Sequence, residues 1–337
     1  MVEKFKCAVI GAGTMGSSYI EIISRLRDTE LVAVVEPDKK TRNKINNNYC
    51  THIYNISEEL FDQEDLDIVV ISCPDEYHAD AAVMALEKNI HVHLEKPVAS
   101  SLNDCNKILK AAINSKAKIN IGYILRMFPQ YNYIRDKVKS GEFGNILHAY
   151  TRRNGIISEG LRWKGKNDLA TYLVCHDADA LMWITGNKIV NVYCLGVKKV
   201  LKKFGVHDSI QVLLNFSDSS IATIECSCAE PLVCRFTIDN RLDITGTKCA
   251  AFINLQDQGI HFYSEEGLKW VDMIINPTLQ GYGMGLLKNE FEKFLDSVLN
   301  NTPVMCTVEE GIEATKVAIA SKLSLYENRV VYLNEIN

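Results

Sequence analysis

The sequence predicts an α/β chain of two domains. A doubly wound parallel sheet comes first, at 1–124, and an α/β domain with an open antiparallel sheet follows, at 125–337. Three observations predict it. Residues 7–16, Cys-Ala-Val-Ile-Gly-Ala-Gly-Thr-Met-Gly, are a short apolar run that closes in G-x-G-x-x-G, a turn that joins a first strand to a helix in dinucleotide-binding folds. Strand and helix patterns alternate as far as residue 125, as parallel strands with crossover helices require. Between Lys188 and Val271 strand patterns follow one another without helices, which means antiparallel pairing. A chain of 337 residues is also too long for one ordinary core.

Taken in order, 6–10 reads as the first buried strand and 17–27 as a helix with Ile20, Ile23 and Leu26 on one face. A second strand, 31–35, ends at Glu36, and Lys39, Lys40 and Arg42 open the next helix. The third strand, 66–73, runs into Pro74-Asp75-Glu76-Tyr77-His78 and a helix over 79–88. The strand 90–94 ends in Glu95-Lys96-Pro97, and a helix at 102–115 and a strand at 118–123 complete the domain. In the second domain a strand at 145–154 precedes a helix from about 168 to 185, with Asn167 as its N-cap and Gly186 as its stop. Strands are expected at 190–200, 209–215, 221–228, 235–245, 250–255 and 260–263. Two helices, 286–299 and 308–325, close the chain, and the last is expected to pack back on the first domain.

The glycine spacing has a chemical reading. Gly11 makes the tight turn, Gly13 lets phosphates approach the backbone, and Gly16 lets the helix pack close to the strand. Thr14 and Met15 lie between them at the helix N-terminus, where free N–H groups and the macrodipole favour anions. Glu36 stands twenty residues beyond Gly16, the spacing at which a carboxylate meets adenosine ribose hydroxyls and disfavours a 2′-phosphate. NAD is therefore expected over NADP, with Lys39, Lys40 and Arg42 arguing the other way.

Composition narrows the function. A net charge of −5 offers no basic field for nucleic acid or an anionic membrane. No apolar stretch is long enough to span a bilayer, and the N-terminal apolar segment reads as a strand, not a signal peptide. The eleven cysteines are scattered. Cys7 and Cys73 fall in strand patterns, and Cys226 and Cys228 share a face with no second pair at metal spacing. His91 and His93 alternate in one strand without further ligands. No metal is expected, and the unpaired thiols point to a reducing cytoplasm.

Ligands of open α/β sheets bind beyond the carboxyl ends of the strands. Cys73-Pro74-Asp75 and Glu95-Lys96-Pro97 both arrive at that edge. Lys96 is placed to act as a general base there, because partial desolvation and a neighbouring positive nicotinamide ring disfavour its ammonium form. This order of motifs, with C-P-x-x-x-H at 73–78, resembles the glucose–fructose oxidoreductase, inositol dehydrogenase and MocA (Gfo/Idh/MocA) family. The resemblance continues through Gly122-Tyr123 to Arg126, Pro129-x-Tyr131, His176-Asp177-Ala178-Asp179 with Trp183 and Gly186, and Pro303 with Val308-Glu309-Glu310-Gly311. It covers nearly the whole chain.

The resemblance implies hydride transfer between a nicotinamide cofactor and a carbinol carbon of a sugar, cyclitol or similar polyol. It also implies a homodimer or homotetramer built through the outer face of the second sheet. Carried over residue by residue, Lys96 is the acid/base lysine and His176 binds and polarises the reacting hydroxyl. Pro97 holds the turn, in many relatives through a cis peptide. Cys73, Pro74, Glu95 and Lys96 border the cofactor, His78 anchors its loop, and Asp179 ties the helix down. Arg126, Arg152, Arg153, Asn154, Arg162 and Trp163 lie in segments around the pocket, and Arg126, Asn154 and Trp163 are expected to touch substrate.

One position departs from the family pattern. Inositol-dehydrogenase-like members carry aspartate four residues before the histidine, and here that residue is Tyr172. A tyrosine donates and accepts hydrogen bonds but carries no charge at neutral pH. An altered proton relay with Lys96, a pocket-shaping role and a disabled proton machinery all stay open. Two other functions stay open with them: elimination of a glycosidic substituent after transient oxidation, and non-catalytic nucleotide sensing.

Overall fold

The computed structural model describes residues 4–162, 169–231, 238–256, 260, 262–264, 267–269, 271–279 and 282–336. It divides into two compact units. The first joins Met1–Ile124 to Ile274–Ile312, and the second joins Leu125–Met273 to Glu313–Asn337.

The first unit alternates β1 (Phe5–Ile10), α1 (Thr14–Arg25), β2 (Thr29–Val35), α2 (Lys39–Asn48), β3 (His52–Tyr54), α3 (Ser57–Gln63), β4 (Ile68–Ile71), α4 (His78–Glu87), β5 (His91–Glu95), α5 (Leu102–Asn114) and β6 (Ile119–Gly122). All six strands are parallel, in the order β3-β2-β1-β4-β5-β6. Helices cover both faces of such a sheet, so its strands are apolar throughout; β4, Ile-Val-Val-Ile, is wholly buried. The strand order reverses between β1 and β4, and a crevice opens there at the carboxyl ends. The three-residue β3 and the short α3 carry too little periodicity to be read from sequence.

The second unit contains α6 (Pro129–Lys139), β7 (Ile146–Ile156), α7 (Ile157–Arg162), α8 (Cys175–Thr185), β8 (Ile189–Val197), β9 (Ser209–Phe216), β10 (Ile221–Glu230), β11 (Ile238–Gly246), β12 (Ala250–Asn254) and the short pair β13 (Phe262–Ser264) and β14 (Gly267–Lys269). A second short pair, β15 (Thr278–Leu279) and β16 (Tyr282–Gly283), and α9 (Leu286–Leu299) belong to the first unit; α10 (Val308–Glu327) begins in the first and continues in the second, where β17 (Val331–Tyr332) follows. The main sheet runs β12-β11-β7-β10-β9-β8-β17. It is antiparallel except at one pair: β7 and β10 are parallel. The chain leaves β7 through α7 and α8, and β8, β9 and β10 then fold back until β10 lies beside β7. Strand patterns show that strands exist, not which of them become neighbours.

The helix expected over 168–185 carries an irregularity that its pattern does not announce. The described residues 169–185 are helical without a break, as expected, but Ala170–Val174 is a π-helical segment ahead of the α-helical turns from Cys175; the helix stops at Gly186, whose φ is +72°. Asn167, expected as the cap, lies outside the described residues. In the first unit α9 presents Leu287, Phe291, Phe294 and Leu295 at helical spacing to Tyr19 and Ile23 of α1 and to Cys7 and Val9 of β1. This core fixes α1, and with it the glycine turn.

Candidate active site

The glycine turn is locked from two sides. Gly11 N–H donates to Val35 O at 2.8 Å, and the Ser72 hydroxyl donates to Gly11 O at 2.8 Å. Gly11 has φ +89°, and a Cβ there would stand 2.6 Å from Cys73 N. A Cβ on Gly16 would run into Gly11 O and lie 2.7 Å from Ser72 Oγ. At Gly13 a Cβ would meet nothing within 4 Å, and α1 starts there without a side-chain cap. The two ends of the motif are thus packed shut, while its centre stays open before a helix N-terminus. That is the shape a pyrophosphate needs.

Glu36, 8% exposed, closes the end of β2. Its carboxylate accepts from Ala12 N–H at 2.9 Å and from Asp38 N–H at 2.8 Å. Each oxygen keeps a further lone pair, so ribose hydroxyls can still donate to it. Asp38 caps α2 through Thr41 N–H at 2.7 Å. Of the three basic residues that argued for a 2′-phosphate, Arg42 is bound elsewhere: its Nη1 donates to Glu36 O at 2.9 Å and to Pro37 O at 2.7 Å.

Lys96 follows β5 directly, half-buried, and the Lys96–Pro97 peptide is cis. His78, at the start of α4 and 1% exposed, joins the two loops of this edge. Its Nδ1 lies 3.0 Å from Pro97 O and its Nε2 lies 3.0 Å from Cys73 O. Carbonyls only accept, and burial lowers the His78 pKa, so the neutral ring donates to one of them at a time. Burial pushes the Cys73 thiol up to about 12, which makes it an uncharged wall of the crevice.

In the second unit His176 and Tyr172 are both half-buried, His176 in the first turn of α8 and Tyr172 in the π-helical segment before it. The chain between them is π-helical as far as Val174. The residues beside His176 anchor the helix. Asp177 receives Arg153 Nε at 2.9 Å, and Asp179 receives Arg126 Nε at 3.0 Å and Nη2 at 2.6 Å.

Two residues expected at the substrate are placed otherwise. Arg126 is 4% exposed and clamps Asp179, a partner 53 residues away that no local pattern announces. Asn154 points away from α8. Arg153 faces α8 through Asp177, and adjacent strand residues face opposite sides. Asn154 Nδ2 accordingly donates to Glu225 Oε1 on the outer face at 2.7 Å. Arg152 bonds Asp239 with an N–O distance of 2.8 Å. Trp163 and the side chain of Arg162 lie outside the described residues.

Reading the sequence missed Tyr19, His93 and Glu290, which meet beside Glu95. One signal was available: Glu290 interrupts the apolar stripe Leu286, Leu287, Phe291, Phe294 of α9. Among the described residues no three His, Cys, Asp or Glu side chains form a metal-binding group, and no helix is long and apolar enough to cross a membrane.

The profile of an oxidoreductase family with an NAD-binding Rossmann fold, Gfo/Idh/MocA, matches residues 5–123, and the profile of the Gfo/Idh/MocA C-terminal domain matches residues 131–251. An inositol 2-dehydrogenase of Corynebacterium glutamicum (strain R) is 26% identical over 230 residues, which cover 67% of each chain. A 2,7-anhydro-N-acetylneuraminate hydratase of Mediterraneibacter gnavus is 24% identical over 98% of this chain and 96% of its own. The crystal structure of scyllo-inositol dehydrogenase from Lactobacillus casei, with bound NAD(H) and scyllo-inositol, superposes with a TM-score of 0.84 at 21% identity, covering 98% of this chain and 100% of that one. That likeness is one of fold. The matches to both halves of the chain, together with the cofactor turn, establish that it belongs to the Gfo/Idh/MocA family of NAD-binding oxidoreductases.

Proposed function

We propose that this protein transfers a hydride between NAD and a carbinol carbon of a cyclitol, sugar or glycoside. The observation that carries the reading is Lys96, at the carboxyl end of β5 in a loop that His78 ties to the crevice edge at Cys73. Relatives named for inositol oxidation support the substrate class. NAD supplies the hydride acceptor, held by Gly11, Gly13, Thr14, Met15 and Gly16, with Glu36 toward its ribose and Cys73, Pro74 and Glu95 along its edge. In the oxidative direction Lys96 takes the proton of the reacting hydroxyl. His176 orients that hydroxyl by hydrogen bonding, and Tyr172 shapes the pocket and joins the proton traffic. Arg126 acts by holding α8. The purified protein is incubated with NAD⁺ and a panel of inositols, sugars and glycosides while NADH is followed. Lys96→Ala is expected to lower kcat by roughly 10²–10⁴-fold; turnover that survives the change overturns the assignment.

A second reading follows from the resemblance to a hydratase over nearly the full length. Transient oxidation of a ring hydroxyl acidifies the neighbouring C–H and permits elimination, after which the hydride is returned. Substrate cleavage without net NADH marks this course, and a stable keto product excludes it.

The outer face of the second sheet supports a homodimer or homotetramer. Leu195, Leu213, Ile221 and Phe252 lie on that face and are 53%, 54%, 53% and 69% exposed, an apolar surface of the kind that marks an interface. Light scattering in line with gel filtration reads the mass, and a monomer would refute it. No disulfide joins the ten cysteines among the described residues, which supports a cytoplasmic location; fractionation of the source cells tests it.

A further inference from the structure

Four titratable side chains meet in the core of the first unit, next to Lys96 in the chain. The Tyr19 hydroxyl lies 2.8 Å from His93 Nε2, 3.2 Å from Glu95 Oε1 and 3.3 Å from Glu290 Oε2. Tyr19 and His93 are 0% exposed, Glu290 1% and Glu95 8%. The rings of Phe291 and Phe294 pack against His93. The direct His93–Glu290 approach, 3.9 Å from Nε2 to Oε2, is too long for a hydrogen bond.

The direction of the hydrogen bonds follows from one end of the cluster. Cys306 N–H donates to Asn120 Oδ1 at 3.1 Å, which turns Asn120 Nδ2 toward His93 Nδ1 at 3.2 Å. An amide nitrogen only donates, so His93 Nδ1 accepts and the neutral ring carries its proton on Nε2. Burial keeps the ring neutral by holding its pKa down to about 3. His93 Nε2–H therefore donates to the Tyr19 oxygen, and Tyr19 has one O–H to share between two carboxyl groups. Two ionised carboxylates around one hydroxyl in a dry core repel each other, so one of them retains a proton.

The surroundings show which one. Glu95 Oε2 accepts from Lys96 N–H at 3.3 Å, and the positive charge of Lys96 favours its ionised form. Glu290 Oε1 has no hydrogen-bond partner, and the charge that acts on Glu290 is that of Glu95. Burial raises both groups, but only Glu95 has a cation to offset it.

We propose that Glu290 is a positioning residue: as the protonated member of a pair organised by Tyr19, it confines one negative charge to Glu95, whose carboxylate holds the backbone N–H of Lys96. The lysine then has one fixed anion beside it and a backbone held by that anion. The consequence for Lys96 rests on the function proposed above; the shared proton does not.

Infrared difference spectroscopy of the full-length protein at neutral pH tests the pair directly. The wild type is expected to show the C=O stretch of a protonated carboxyl group, and E290Q is expected to lose it. A wild type without that band, or an E290Q protein that keeps it, overturns the proposal. The pH profile of kcat/KM tests the link to Lys96. Removing the anion in E95Q is expected to displace the basic limb of that profile, and E290Q, which leaves the charge unaltered, is expected to leave the limb in place. An E290Q limb displaced as far as that of E95Q refutes the positioning role. If no polyol is turned over, the reading of function fails, while the infrared result still decides whether the proton is shared.

Discussion

Arg126 and Asp179 form a two-pronged ion pair, Nε to Oδ2 at 3.0 Å and Nη2 to Oδ1 at 2.6 Å, between side chains that are 2% and 1% exposed. The guanidinium also lies over the Trp183 ring, 5.6 Å from its centroid. With Arg153–Asp177 this makes two buried pairs on the helix that carries His176. Removing one partner of a buried pair strands the other charge, at a cost of about 3–5 kcal/mol. Asp179→Asn is therefore expected to lower the free energy of unfolding by that amount in urea titration. A loss below about 1 kcal/mol, the level of exposed pairs, would mean that the pair does not hold the helix.

The glycine turn predicts opposite outcomes for two substitutions three residues apart. Gly16→Ala forces a methyl onto Gly11 O and Ser72 Oγ, so overpacking of about 1–3 kcal/mol lowers the Tm. Gly13→Ala meets nothing in the protein, so the Tm is kept while NAD binding weakens, because the methyl occupies the space left for phosphate. Differential scanning fluorimetry and calorimetric titration with NAD⁺ separate the two. Undiminished NAD affinity in Gly13→Ala would remove the pyrophosphate from this turn.

The difference between these two regions shows what the sequence could reveal. The glycine turn, Glu36 and Lys96 are legible because local covalent geometry and strand ends dictate them: a tight turn needs glycine, and a parallel strand delivers its last residues to one edge. Arg126, Asn154 and the Tyr19 cluster depend on partners 53, 71 and up to 271 residues away. The segment Arg152-Arg153-Asn154 is polar throughout, so it carries no alternation to say which side chain faces the helix. The parallel β7–β10 pair is hidden for a related reason, since it follows from the order of strands and not from the pattern of any one.

Glu36 is expected to set the cofactor preference through its free lone pairs. Glu36→Gln keeps the acceptor for Ala12 N–H but loses the one for Asp38 N–H, together with the charge that strengthens hydrogen bonds to ribose hydroxyls and repels a 2′-phosphate. Its Kd for NAD⁺ should rise roughly tenfold, the size of one charge-assisted hydrogen bond of about 1.5 kcal/mol, and the ratio of NADP⁺ to NAD⁺ affinity should rise with it. Fluorescence titration with both cofactors measures this. Equal loss for both would show that Glu36 serves only to hold the turn.

His93 gives stability a dependence on pH whose sign can be worked out. Its folded pKa is depressed from 6.5 to about 3 by burial, so the native ring rejects a proton that the unfolded chain accepts. Its contribution is whole above pH 6.5 and is lost as the pH falls toward 3. Glu95 and Glu290, raised by burial, act in the opposite sense: their contribution is present below the ordinary carboxylate range and lost as the pH rises through their folded values. The histidine is isolated by comparison with His93→Gln, which keeps a neutral polar side chain and cannot take up a proton. As the pH falls from 6.5 toward 5, the wild type should lose stability relative to the variant by up to about 1.4 kcal/mol per pH unit, the value of one proton. Chemical denaturation at a series of pH values measures the difference. A flat difference would mean that the buried ring accepts a proton from Tyr19 or a carboxyl group. The direction of hydrogen bonding from Asn120 to Glu95 would then be reversed.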